Sequence, residues 1–166
     1  MKSLGKLGLV HVTSRRQLLL SLLGAVVVGT LAMRRANAEA RHIKVWKDPN
    51  CGCCSKWVDH LRANGFSAEI IETDDIIPIK KRYGITRELA SCHTALIGGY
   101  VIEGHVPATA INKLLSDRPD ADGLAVPGMP IGSPGMEGGT PERYDVILFK
   151  DGQHQSFGHY LGAEPQ

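Results

Sequence analysis

The sequence predicts a mixed α/β domain in which one βαβ unit is followed by one ββα unit. Short apolar segments alternate with polar residues as half-buried strands do. Between them lie apolar positions spaced for one face of a helix, and a Gly98-Gly99 pair marks a hairpin.

Taken in order, Ile43 and Val45 alternate with Lys44 and Trp46, a strand pattern that Asp48-Pro49-Asn50 ends. From Cys53 to Asn64, apolar side chains at Cys54, Trp57, Val58 and Leu61 fall on one helical face, and Gly65 stops the helix. Ala68 to Ile71 reads as a second strand. Ile77 to Tyr83 reads as a short helix with Pro78 near its start and Gly84 at its end. Thr94–Ile97 and Tyr100–Glu103 flank the glycine pair as a hairpin. Pro107 opens a last helix carrying Ala110, Ile111, Leu114 and Leu115. Strand, helix, strand, helix, hairpin, helix is the thioredoxin-like order, a small sheet covered by helices. Residues 123–140, with six Gly and three Pro, are expected to be irregular and to lie outside that core. Tyr144–Phe149 and His154–Tyr160, joined at Asp151-Gly152, are expected to form a C-terminal hairpin.

The first 38 residues read as an address. They hold Lys2, Lys6, Arg15, Arg16, Arg34 and Arg35 and no acid. Arg15-Arg16 precedes an uncharged run from Leu18 to Met33, and Ala36-Asn37-Ala38 closes it with small residues. This is the pattern of an export signal of twin-arginine type, cleaved after Ala38 or Ala40, and the apolar run is shorter than the ~20 residues that span a bilayer. Residues 39–166 are then a periplasmic domain that meets the membrane only during export. Without the leader, thirteen basic and seventeen acidic residues remain, a formal charge near −4. The basic balance of the whole chain belongs to the leader and gives no argument for nucleic-acid binding.

Cysteine placement carries the chemistry. Cys51-Gly52-Cys53-Cys54 stands between the first strand and the first helix, and Cys51 and Cys54 make a C-x-x-C. At a helix N-terminus, free N–H groups and the helix dipole favour thiolate, the form that both attacks disulfides and binds metal. A redox pair needs two sulfurs, and here three fall in four residues. Ser91-Cys92-His93-Thr94 stands before the hairpin, in the loop that lies beside the C-x-x-C in thioredoxin-like proteins and there carries a proline. In this chain Cys92 and His93 occupy it. Pro-Gly-Met129 and Pro-Gly-Met136 repeat at a spacing of seven in a chain of only four Met. Soft thiolate and thioether ligands select Cu(I), with zinc and silver as the other ions such a set accepts. The candidate ligands are therefore Cys51, Cys53, Cys54, Cys92, His93, Met129 and Met136. His154 is held in reserve, while His60, His105 and His159 are read as surface or packing residues and His42 as lying near a flexible terminus.

From Ile43 to about Tyr160 the chain resembles a bacterial family known as domain of unknown function 411. The stretches that carry the likeness are Lys47–Cys54, Ser91–Thr94, Gly104-His105-Val106-Pro107, Gly123–Pro130 and Gly135-Met136-Glu137. That resemblance implies metal binding and copper handling, often beside copper-resistance genes. It implies no fixed ligand set. The partners expected are a copper ion and another periplasmic copper protein or an exporter. No general acid, metal-activated water or substrate pocket is visible, so the sequence is not read as that of an enzyme. Two rival readings stay open: a thiol–disulfide oxidoreductase using Cys51 and Cys54, and a domain stapled by zinc or by disulfides.

Overall fold

A computed structural model of the chain describes residues 41–166. The export signal read in residues 1–38 lies outside them. Among the described residues, no helix is long and apolar enough to cross a membrane.

The elements are β1 (His42–Lys47), α1 (Gly52–Ala63), β2 (Ser67–Glu72), α2 (Ile77–Arg82), β3 (His93–Ile97), β4 (Tyr100–Glu103), α3 (Ala108–Asp117), β5 (Gly123–Ala125), β6 (Arg143–Lys150), β7 (Gln153–Leu161) and β8 (Glu164–Pro165). They form a mixed α/β fold around one eight-stranded sheet, ordered β2-β1-β3-β4-β5-β6-β7-β8. β1 and β2 run parallel, joined by α1, and β4 and β5 run parallel, joined by α3. A parallel pair needs such a crossover, whereas β3–β4 and β6–β7 are antiparallel and close through two-residue turns. In the second turn both Asp151 and Gly152 take positive φ, which suits the twist of the flanking strands.

Helix α1 follows from its sequence. Cys54, Trp57, Val58 and Leu61 form its buried stripe. Gly65, at φ +83°, ends it: the Gly65 N–H donates to Arg62 O (3.1 Å) and the Phe66 N–H to Leu61 O (3.1 Å). These are the two bonds that satisfy the last carbonyls at a glycine stop.

Strand alternation sorts the core onto two faces. Ile43, Val45, Ala95, Ile97 and Ile102 pack with Trp57 and Leu61 of α1 and with Ile111 and Leu114 of α3. Val101, Ala125 and Phe149 point the other way, where Ile85 and Leu89 cover them. Residues at i and i+2 share a face, so this division is the strand period itself.

Two expectations need correction. Gly123–Ala125 is a strand, because the backbone there pairs with β4 on one side and β6 on the other. A Cβ on Gly123 would stand 1.9 Å from Val101 O, so only glycine permits that approach. The C-terminal hairpin is also no separate appendage. Through β5 it extends the same sheet, adding Val146, Leu148 and Tyr160 to the main core. The short strand β8 was not expected.

Candidate metal centre

The loop after β1 is built by its own side chain: the Asn50 N–H donates to Asp48 Oδ1 (2.7 Å) and the Cys51 N–H to Asp48 O (3.1 Å). This turn delivers Cys51 as the N-cap of α1. Cys53 and Cys54 then lie in the first helical turn, Cys54 fully buried and Cys53 half-buried.

The second ligand segment is held from below. Glu103 is fully buried at the end of β4, and its Oε1 accepts from the Ser91 N–H (2.6 Å). Its Oε2 accepts from Thr94 Oγ1 (2.7 Å), and the buried Lys80 ammonium bonds both the Glu103 carboxylate and Thr94 Oγ1. One ion pair therefore grips the residues on either side of Cys92-His93. Burial pushes the Glu103 carboxyl above its ordinary value, and Lys80 pulls against that.

Cys92 is where the segments meet. Its Sγ lies 3.3 Å from His93 Nδ1 and 2.9 Å from His105 Nε2. The sulfurs of Cys51, Cys53, Cys54 and Cys92 all lie within 4.8 Å of one another, and one ligand atom from each of Cys92, His93 and His105 does the same. Cys92 belongs to both sets.

The hydrogen-bond partners fix one tautomer. His105 Nδ1 donates to Pro134 O (2.7 Å), since a carbonyl only accepts. Its Nε2 is then bare and faces Cys92, which is how a histidine is prepared as a metal ligand. Burial lowers the pKa of His105, and lowers that of His93 well below its ordinary value with help from His105 and Lys80. Both imidazoles are thus neutral and able to ligate at neutral pH. Burial, followed by the charge of Cys53, pushes the Cys92 thiol up to about 12. Without a cation this sulfur stays protonated, and a bound soft cation reverses that preference outright.

His93 lies under the ring of Trp57, centroids 4.1 Å apart, and its Nε2 is a buried nitrogen with no hydrogen-bond partner among the described residues. An unpaired buried nitrogen is costly; the other ring nitrogen, Nδ1, is the one that faces Cys92 Sγ. The donor set is soft sulfur with neutral imidazole, a set that suits copper and zinc.

The sequence offers Cys51 and Cys54 as thiolate ligands and equally admits a disulfide between them; in the structure they are joined by a disulfide, while Cys53 and Cys92 are free. The reason is local: the helical turn brings the two Cα atoms to 5.4 Å, within bridging range. In this state only Cys53 and Cys92 offer thiols.

The glycine-rich segment folds back over the site. Gly135, at φ +93°, sits so close to α1 that a Cβ there would stand 2.6 Å from Cys53 O and 2.9 Å from Trp57 N. Met136 lines a cleft of about 380 Å³ together with Cys53, Lys56 and Glu137. Met129 does not line that cleft and is 51% exposed.

Residues 89–136 match the family model described as "Protein of unknown function, DUF411". Two solved structures are each 45% identical to the chain. One, named "Copper resistance protein copG- Form 1", superposes with a TM-score of 0.69 over 74% of this chain and 98% of its own. The other, "Copper resistance protein copG- Form 2", gives 0.68 over 72% and 97%. The chain belongs to the DUF411 family. No curated protein sequence matches it.

In this DUF411 chain the sequence reading passed over one site residue, His105, which it assigned to packing. A signal was present. A two-residue turn at Gly98-Gly99 sets Thr94 opposite Glu103, so both ends of the hairpin reach the same mouth of the sheet, His93 on one arm and His105 just beyond the other. His60 Nε2 accepts from the Ala108 N–H (3.1 Å) at the start of α3. His159 pairs with Asp145 on the surface, and His154 is exposed.

Proposed function

We propose that this protein acts in copper resistance by holding Cu(I) in the periplasm and passing it on. The observation that supports this is Cys92, whose sulfur stands among two neutral imidazoles and three further sulfurs. The name shared by the two 45% identical structures agrees with it. Cys92, Cys53, His93 and His105 are the ligands at hand. Cys51 and Cys54 join them once their bridge is reduced, and Met136 adds a thioether from the cleft. The bound ion supplies a soft Lewis-acid centre; the chain supplies deprotonated sulfur, oriented imidazole and a glycine-rich cover. The first four strands, in the order β2-β1-β3-β4 with α1 as crossover, support a thioredoxin-like core as the scaffold. Delivery to another periplasmic copper protein or an exporter follows from an open cleft at Cys53, where ligand exchange can proceed stepwise.

The test is metal content and copper oxidation state of the chain purified without oxygen, for wild type and Cys92→Ser. Stoichiometric Cu(I) in the first and its loss in the second is the expected result. Zinc in place of copper, or copper retained by Cys92→Ser, overturns the reading.

The Cys51–Cys54 bridge favours a second reading, a thiol–disulfide oxidoreductase. Insulin-reductase activity that survives Cys92→Ser and His93→Ala would select it.

A further inference from the structure

Beside the Cys51–Cys54 bridge stands a free thiol, that of Cys53. Cys53 Sγ lies 3.5 Å from Cys51 Sγ. We infer that the bridge migrates within this turn: Cys53 exchanges with Cys54 for Cys51, and the free sulfur moves from the cleft to the interior.

The step balances without any outside reagent. The Cys53 thiolate attacks Cys51 Sγ, a new Cys51–Cys53 S–S bond forms, the Cys51–Cys54 bond breaks, and Cys54 leaves as thiolate and takes up the proton that Cys53 gave. One disulfide and one thiol are present before and after, so nothing is oxidised or reduced overall. Three features favour it. Cys53 and Cys51 are already in sulfur–sulfur contact. Gly52 between them has nothing within 4 Å of where a Cβ would stand, so the short C-x-C loop has room to close. The leaving sulfur lies in the first turn of α1, where unpaired N–H groups stabilise negative charge. Cys92, the other free thiol, already faces two imidazoles.

The two registers present different free sulfurs. With Cys51–Cys54 closed, the free thiol of the turn is Cys53, which lines the open cleft. With Cys51–Cys53 closed, it is Cys54, fully buried and with its sulfur 3.9 Å from Cys92 O. The exchange thus turns a solvent-side ligand into an interior one beside Cys92. That consequence rests on the metal reading above; the exchange itself does not.

The experiment is therefore metal-free. The oxidised chain, stripped of metal, is held at neutral pH, quenched in acid, unfolded, and labelled at its free thiols with N-ethylmaleimide. The disulfide is then reduced, labelled with iodoacetamide and located by peptide fragmentation. The expected result is maleimide on Cys92 in every molecule and divided between Cys53 and Cys54 on the other. A Cys54→Ser variant, oxidised in the same way, should close Cys51–Cys53. Maleimide confined to Cys53 and Cys92 at all times, or a Cys54→Ser variant that bridges Cys53 to Cys92 instead, overturns the inference. Neither result bears on copper content, which the anaerobic measurement reads separately.

Discussion

The sulfur of Cys92 and Nε2 of His105 stand 2.9 Å apart, thirteen positions apart in the chain and on opposite arms of one hairpin. The contact is set by the β3–β4 register on one side and by Pro134 O, which holds the far nitrogen of His105, on the other. A thiol and a bare imidazole nitrogen this close are able to ligate one ion together.

Replacing His105 should therefore weaken copper binding although the sequence marks it as packing. His105→Ala is expected to lower Cu(I) affinity by at least about 10–100-fold, the scale on which a metal site feels the loss of even a partner that only orients a ligand. His42→Ala is the control, since His42 is exposed and, among the described residues, bonds only Ser67 and Glu69. Competition against a Cu(I) chelator measures both. Equal affinities in the two variants would remove His105 from the site.

The pair beneath the site should matter to folding as well as to binding. Lys80 and Glu103 are buried together, and Glu103 also holds the Ser91 N–H and Thr94. Removing one charge strands the other, which costs about 3–5 kcal/mol, while replacing both by apolar groups of similar size can be close to neutral. Lys80→Met should thus lower the urea midpoint sharply, and Lys80→Met with Glu103→Leu should recover much of it. The double variant still lacks the bond to Ser91, so its copper affinity should stay low.

How much of this could be read from residues alone follows from what each signal depends on. Periodicity and turn glycines are local, and they placed α1, α3 and both hairpins. β5 escaped because its three residues pair with strands distant in sequence, and its glycine, which suggests a loop, is there to let Val101 O approach. Cys92 and His93 stood out because two metal-binding residue types fall side by side just before the hairpin, and the structure brings both to the cluster. His105 did not, because its role comes from register and from Pro134, far along the chain. The Cys51–Cys54 bridge was open either way, since spacing admits both a thiol pair and a disulfide. Lys80 gives the plainest case: an exposed lysine by composition, it is the one buried side chain of α2 because Glu103 waits beneath it.

Acid should destabilise the metal-free chain. Burial lowers the pKa of His60, His93 and His105 below the ordinary 6.5. The unfolded chain then binds more protons than the folded one as pH falls through 6.5, so stability rises with pH across that window and is lost toward the lower folded values. The raised pKa of Glu103 acts in the opposite sense, from its ordinary 4.5 upward. Three histidines against one carboxyl predict a lower urea midpoint at pH 5.5 than at pH 7.5. His60→Gln, which removes one of the three, should flatten the difference. A midpoint unchanged between the two would mean that these imidazoles titrate alike in both states.

The last prediction concerns a residue that touches no ion. Gly135 holds φ +93° and rests on Cys53 O and Trp57 N, with His105 Nδ1 3.2 Å from where its Cβ would stand. Gly135→Ala forces both a left-handed alanine and a clash with backbone atoms that cannot turn aside, a cost of about 1–3 kcal/mol by the usual scale of overpacking. The segment must lift, and with it Pro134 O, the group that fixes the His105 tautomer. Copper affinity should then fall toward that of His105→Ala. Trp57 reports the event independently. It packs on His93, so bound copper should quench its fluorescence in wild type, and Gly135→Ala should need more copper for the same quenching. Gly138→Ala is the matched control: its position also has positive φ, but nothing lies within 4 Å of the added carbon. If both variants bind alike, the cover acts through backbone strain alone and not through its contact with α1.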